Sequence, residues 1–190
     1  MLSLAFPLET VPILLVGRGT KLTRRHAKLM DAGAAQVRVF CDDPESLPPE
    51  TTLPYTEGLP TEADVLAARL VMVVDLPEAA TEFLVGVCTE QRVLINVEDV
   101  KRHCDFYFMS EVRRGDLLIG ISSGGKAPAL TVRIRKWLEQ QFDTQWEEIL
   151  AQAAELRGRL QKEGMTSEDI IDHMDSWLSE QQLLLGGAAC

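Results

Sequence analysis

Residues 11–19 read Val11-Pro12-Ile13-Leu14-Leu15-Val16-Gly17-Arg18-Gly19, an apolar run that stops at a pair of glycines. Beyond it Leu22, His26, Leu29 and Met30 recur at helical spacing, so the stretch reads as strand, tight turn and helix. Gly33 marks the end of that helix, and residues 37–40 form a second apolar run before the turn-rich stretch 41–60. That order is the start of a βαβ unit. Further on, residues 70–74 form a short buried strand, Pro77 opens a helix over 78–90, and 93–97 is the next strand. Strands that alternate with helices imply a parallel sheet and an α/β fold.

The pattern changes after residue 106. Segments 107–112 and 117–122 flank Arg113-Arg114-Gly115-Asp116, a hairpin arrangement in place of a crossover, and a boundary is placed near residue 112. A helix is expected over 128–142 with Leu130, Ile134, Trp137 and Leu138 on one face. Two more amphipathic segments follow at 144–162 and 167–184, separated by Gly164, and the final residues 186–190 are expected to fray. The division that results is 1–112, 113–142 and 143–190.

A hydrophobic fraction of 46% and a charged fraction of 25% suit a globular domain rather than a disordered or membrane protein. Pro7, Glu9 and Pro12 interrupt an amino terminus that lacks a basic start, so no signal peptide is expected. Cys41, Cys88, Cys104 and Cys190 show no paired metal-ligand spacing, and reduced thiols in the cytoplasm are expected, with no metal site. A formal charge of −10 argues against nucleic-acid binding. The charge is unevenly placed. Residues 101–136 hold eight Lys or Arg against three acids, a net of +5, whereas from 139 onward eleven acids face three bases, a net of −8. The positive stretch suits an anionic small ligand or a solvated face.

Three constellations carry chemistry. Gly17-Arg18-Gly19-Thr20-Lys21-Leu22 follows a strand as a dinucleotide cradle does, with Leu22 where a small residue lets helix and strand pack closely; a simple βα turn has the same look. A smaller residue at 22 is expected either to leave the fold intact and tighten dinucleotide binding or, if Leu22 is already well packed, to open a cavity. Asp42 or Asp43, after the second strand, lies where an acid meets the adenosine ribose, which favours NAD over NADP, although Asp-Asp-Pro is also ordinary turn chemistry. Lys21, Arg24 and Arg25 either accept a 2′-phosphate or solvate a helix face. Asp105, in His103-Cys104-Asp105-Phe106 just beyond a strand end, is placed for proton transfer, although such a run is more often structural. Ser122-Ser123-Gly124-Gly125-Lys126 opens a helix and serves either as an anion cradle or as a capped turn.

Taken in order, Asn96-Val97, Cys104-Asp105-Phe106, Val112-Arg113-Arg114-Gly115-Asp116-Leu117 and Ile121-Ser122-Ser123-Gly124-Gly125-Lys126-Ala127-Pro128-Ala129-Leu130 resemble the signature of precorrin-2 dehydrogenases, including the amino-terminal module of siroheme synthases. The resemblance runs from about residue 11 to 138. It implies a homodimer with an NAD-binding Rossmann-like domain, a dimerisation segment and a small helical carboxyl-terminal domain. The implied reaction oxidises precorrin-2 to sirohydrochlorin with NAD. Asp105 is the implied functional acid, and the basic residues Arg113, Arg114 and Lys126 face the carboxylates of the tetrapyrrole. Arg18, Lys21 and Leu22 depart from the family's usual Gly, Val and Ala, and Asp75 stands where Thr is usual, beside the expected pyrophosphate. Two other readings are a sirohydrochlorin ferrochelatase using the same cleft and a catalytically silent tetrapyrrole-binding partner.

Overall fold

The computed structural model describes residues 2–180. The expected end of the last helix at 184 and the expected fraying of 186–190 lie outside those residues. The chain divides into two compact units, one spanning Met1–Phe108 and the other beginning at Met109. Residue 112, where the first boundary was expected, falls inside a strand of the second unit.

The first unit is a parallel five-stranded sheet. Its strands are β1 (Ile13–Gly17), β2 (Val37–Cys41), β3 (Thr56–Glu57), β4 (Leu70–Val74) and β5 (Leu94–Val97), in the order β3-β2-β1-β4-β5. Helix α1 (Gly19–Asp31) joins β1 to β2, α2 (Glu62–Leu66) precedes β4, and α3 (Glu78–Gln91) joins β4 to β5. The chain steps from β1 to one side and from β4 to the other. Right-handed crossovers therefore put α1 and α3 on opposite faces of the sheet. The side chains follow the period of two. Leu14, Val16, Val71 and Val73 pack with Val65, Leu84 and Cys88 on one face, whereas Ile13, Leu15, Leu70, Met72 and Val74 pack with Leu22 and Leu29 on the other. Burial on both faces is why β1 and β4 read as unbroken apolar runs.

Strand β3 lies inside the turn-rich stretch 41–60, and α2 lies just beyond it, where no element was expected. Helix α2 is set by a capping box: Asp64 N–H donates to the Thr61 hydroxyl, and the Thr61 N–H donates to Asp64 Oδ2 at 2.9 Å. Those bonds from Thr61, with the nearby Arg38 guanidinium, hold the Asp64 carboxyl below its ordinary range.

The second unit holds the antiparallel hairpin β6 (Ser110–Arg114) and β7 (Leu117–Ile121) and the helices α4 (Pro128–Gln141), α5 (Gln145–Lys162) and α6 (Ser167–Glu180). Arg113 and Arg114, expected in the hairpin turn, are the last residues of β6, and Gly115-Asp116 alone makes the turn. Arg114 closes the carboxyl end of α4: its Nε donates to the Asp143 carbonyl at 3.0 Å and its Nη2 to the Glu139 carbonyl at 3.2 Å. On the face expected for helix α4, Leu130, Ile134 and Trp137 are exposed and Leu138 is half-buried, while Thr131 is the helix's buried residue.

The tightest point of the first unit is Gly17. A Cβ there would lie 2.2 Å from the Val74 carbonyl oxygen and 2.3 Å from Val74 Cγ2, so β1 and β4 keep their register only with no side chain. Gly17→Ala is expected to lower stability by about 1–3 kcal/mol, the usual cost of overpacking; an unchanged urea midpoint would disprove the contact. Of the two outcomes expected for a smaller residue at 22, the burial of Leu22 favours the cavity. Leu22 is 0% exposed in the core between α1 and the sheet, so Leu22→Ala opens a cavity. The expected loss is about 2–5 kcal/mol, and a stability within 0.5 kcal/mol of wild type, roughly the size of a surface substitution, would contradict it.

Candidate functional site

The order β3-β2-β1-β4-β5 reverses direction between β1 and β4, and ligands of open α/β sheets bind beyond the carboxyl ends of the strands at such a point. Here that crevice begins at Gly17, continues through Gly19 and faces Asp75 at the end of β4. Gly19 has φ +54°, a conformation that keeps its N–H at the head of α1 without a Cβ in the way. Helix α1 is 13 residues long, and its free N–H groups and dipole favour an anion at this end. The Gly19 N–H is held by the Ser46 hydroxyl at 3.0 Å, and that hydroxyl donates to the Asp43 carbonyl at 2.6 Å. A phosphate oxygen would take over the acceptor position that Ser46 fills. The residues therefore fit a dinucleotide, for which Gly17 and Gly19 would underlie the pyrophosphate and Asp42, at the end of β2, would stand where a ribose is expected.

The charges around this crevice are paired. Arg18 donates from Nε to Asp42 Oδ1 at 2.6 Å and from Nη2 to Asp42 Oδ2 at 2.5 Å, a two-pronged contact that raises the arginine's pKa further. Asp43 instead serves through its carbonyl, which holds the short turn Pro44–Ser46. Lys21 Nζ lies 3.3 Å from Asp99, 3.4 Å from Glu98 and 4.0 Å from Asp75. The bond to Asp99 and the charge of Glu98 raise its pKa. Asp75 and Asp99 are both left-handed, with φ of +56° and +64°. Arg25 is committed elsewhere: it pairs with Glu98 at 2.8 Å and stacks over Phe108 with 4.1 Å to the ring centroid. Thr20 lies exposed in the first turn of α1, where its carbonyl accepts from Thr23 Oγ1.

Asp105 is not where the sequence placed it. The turn Lys101–His103 folds the chain back along β5, and Asp105 pairs with Ile95, the second residue of that strand, rather than lying beyond its carboxyl end. The Asp105 N–H donates to the Ile95 carbonyl at 2.8 Å, and Asp105 Oδ2 accepts the Ile95 N–H at 2.9 Å. Asn96 Nδ2 donates to the Phe106 carbonyl at 2.8 Å, and the Cys104 thiol to the Val97 carbonyl at 3.1 Å. The 104–106 segment thus acts as a substitute edge strand. Cys88 lies in the core, and burial, with a contribution from the Asp105 charge, pushes its thiol up to about 12. It stays a neutral thiol at physiological pH.

In the second unit the turn before α4 satisfies part of its own backbone. Ser123 Oγ accepts the Ala127 N–H, the Ser123 carbonyl accepts the Lys126 N–H at 3.1 Å, and Ser122 Oγ accepts the Gly124 N–H. Gly124 and Gly125 have φ of +62° and +72°. The Lys126 side chain is exposed, and Arg113 lies 3.6 Å from Glu111. Among the described residues no group of three or more His, Cys, Asp or Glu is placed to hold a metal ion, and no helix is long and apolar enough to cross a membrane. A cavity of about 560 Å³ opens at the amino ends of β1, β4 and β5, lined by Phe6, Arg69, Arg92 and Leu94 among others. It lies at the opposite end of the strands from the glycine turn, and the switch point is the better guide to the chemistry.

Comparison with known proteins agrees with this geometry. Residues 4–110 match the family described as putative NAD(P)-binding, and residues 114–141 match the sirohaem biosynthesis protein central region. A siroheme synthase of Sodalis glossinidius is 32% identical over 155 residues, covering 80% of this chain and 33% of that protein. One from Nitrosococcus oceani is 29% identical over 153 residues, covering 78% and 32%. The chain spans about a third of the length of these relatives. The solved structure of SirC, precorrin-2 dehydrogenase, superposes with a TM-score of 0.74 at 21% identity, covering 96% of this chain and 92% of that one, a likeness of fold. With more than half of its length matched, this chain belongs to the putative NAD(P)-binding family, and it carries the central region of sirohaem biosynthesis proteins behind that domain.

Proposed function

We propose that the chain oxidises precorrin-2 to sirohydrochlorin with NAD as hydride acceptor, as a cytoplasmic homodimer in siroheme biosynthesis. The observation that carries this reading is the order of parts. A dinucleotide crevice built on Gly17, Gly19 and Asp42 is followed in the same polypeptide by a sirohaem central region. The names of the relatives and of the structural neighbour point the same way. Bound nicotinamide supplies the two-electron acceptor that takes a hydride from the macrocycle. Gly17, Gly19 and the head of α1 would hold the pyrophosphate, Asp42 would meet the ribose, and a phosphate oxygen would replace Ser46 as acceptor of the Gly19 N–H. In the second unit Arg113, Lys126 and the turn Ser122 to Gly125 meet substrate carboxylates by charge and hydrogen bond, while Arg114, with two donors on the end of α4 and one on the Arg113 carbonyl, positions that helix.

Asp105 is the proposed proton acceptor. Its Oδ2 is fixed by the Ile95 N–H, and Oδ1 is left to receive the proton lost with the hydride. A second reading is favoured by the same bonds, because a residue paired twice to Ile95 also serves as a clamp on β5. Two variants separate the roles. Asp105→Asn keeps an acceptor for the Ile95 N–H, so it should leave thermal stability unchanged while turnover of anaerobically prepared precorrin-2 falls roughly 10² to 10⁴-fold. Wild-type turnover in Asp105→Asn, with clear destabilisation in Asp105→Ala, leaves only the clamp.

The second copy is proposed to cover the outer face of α4. Leu130, Ile134 and Trp137 recur there at spacings of four and three, 54%, 36% and 58% exposed. Light scattering is expected to give twice the monomer mass, and Trp137→Glu to give the monomer. A wild-type protein that stays monomeric at high concentration defeats the assignment.

A further inference from the structure

We infer that Arg18 sets the nucleotide preference of the crevice, making the ribose position at the end of β2 accept a 2′-phosphorylated dinucleotide as well as the plain one. The inference rests on the dinucleotide reading above and deepens it. An acid at the end of the second strand ordinarily receives the ribose hydroxyls and repels a 2′-phosphate, whereas an arginine nearby accommodates that phosphate. Here both groups stand at one position. Arg18 grips both oxygens of Asp42, and the pair is sheltered, with side-chain exposures of 29% and 14%. The two charges cancel locally, so a phosphate approaching Asp42 meets a neutral pair instead of a bare carboxylate.

The donors also count. A guanidinium carries five N–H groups, and the grip on Asp42 uses two. The other three have no acceptor among the described residues. They lie on a planar, permanently charged group whose geometry suits phosphate. The neighbouring cations of α1 are less available. Lys21 is engaged by Asp99, Glu98 and Asp75, and Arg25 by Glu98 and Phe108. Arginine is not demanded by the backbone at this point, since residue 18 is extended, with φ −137° and ψ 162°. Its side chain is therefore free to serve recognition, and Asp42 acts as the group that aims it.

The test is calorimetric binding of NAD and of NADP to the full chain and to Arg18→Gly, Arg18→Met and Arg24→Ala, each checked for native circular dichroism. Wild type is expected to bind the two within about tenfold of each other. Both Arg18 variants should weaken NADP roughly 10- to 100-fold, the size of lost charge-assisted hydrogen bonds, and change NAD less than about threefold. Asp42→Asn, which frees the guanidinium, should tighten NADP relative to NAD. A wild type that rejects NADP while binding NAD, with the ratio unmoved in the Arg18 variants, overturns the inference alone. A loss of NADP binding in Arg24→Ala but not at Arg18 assigns the phosphate elsewhere and overturns it too. Failure of both dinucleotides to bind at millimolar concentration sinks the dinucleotide reading itself.

Discussion

The close approach of β1 to β4 at Gly17 is the constraint on which the rest of the first unit depends. Gly17 is paired with Val74 at the point where the sheet reverses, and no Cβ fits against the Val74 carbonyl. The two strands stay in register to their last residues, and right-handed crossovers to opposite sides take the chain from β1 toward one face and from β4 toward the other. The carboxyl ends then diverge and leave a crevice with the head of α1 on its rim. A side chain at residue 17 would push β1 away from β4 and distort the turn that leads into the head of α1, where the backbone N–H groups of the helix favour an anion.

Electrostatics at that rim are balanced rather than simply positive. The helix dipole and Lys21 favour an anion, whereas Asp75, Glu98 and Asp99 oppose one. Each acid near the crevice except Asp43 has a cation against it: Arg18 with Asp42, Arg25 with Glu98, and Lys21 with the group at the ends of β4 and β5. This pairing gives physical sense to the chain's unusual residues. Arginine at 18 and lysine at 21 bring positive charge onto a loop and first turn that would otherwise face only carboxylates. The Glu98 Oε2 atom, buried and without a hydrogen-bond partner, faces Lys21 Nζ at 3.4 Å. Lys21 therefore has a local duty that would remain with no ligand present.

Legibility in the sequence followed the strength of the local signal. Strands buried on both faces announce themselves as apolar runs, and so β1, β2, β4 and β5 were plain together with α1 and α3. The edge strand β3 is two exposed residues, Thr56 and Glu57, and α2 is only five residues long, too few for a period; Thr61-x-x-Asp64 marks it. The glycine turn and Asp42 were visible by position. Their occupation by Ser46 and Arg18 was not, because these contacts join residues 27 and 24 apart through the fold. Asp105 could be singled out by motif but not placed. Whether a chain leaving β5 continues outward or folds back depends on a short turn and on the Asn96 and Cys104 side-chain bonds, which no periodicity records.

The second unit poses a different physical problem. Its buried residues among those described are Val112, Thr131, Leu160 and Ile170, a small core for a hairpin and three helices. An isolated two-stranded hairpin is marginal in water, and small units of this kind generally need further burial. Helix α4 adds to the shortage by turning Thr131 and the Arg135–Glu139 ion pair toward the partly buried side and Leu130, Ile134 and Trp137 outward. Such an arrangement costs stability in isolation and recovers it when the outer face is covered. This is what supports a second copy as the occupant proposed above. A symmetric contact brings the same apolar stripe from each chain to one seam and supplies the missing core. In that arrangement the turn from Ser122 to Lys126, which leads directly into α4, would be held in place by association, so that the proposed substrate contacts and the proposed dimer would draw on one helix.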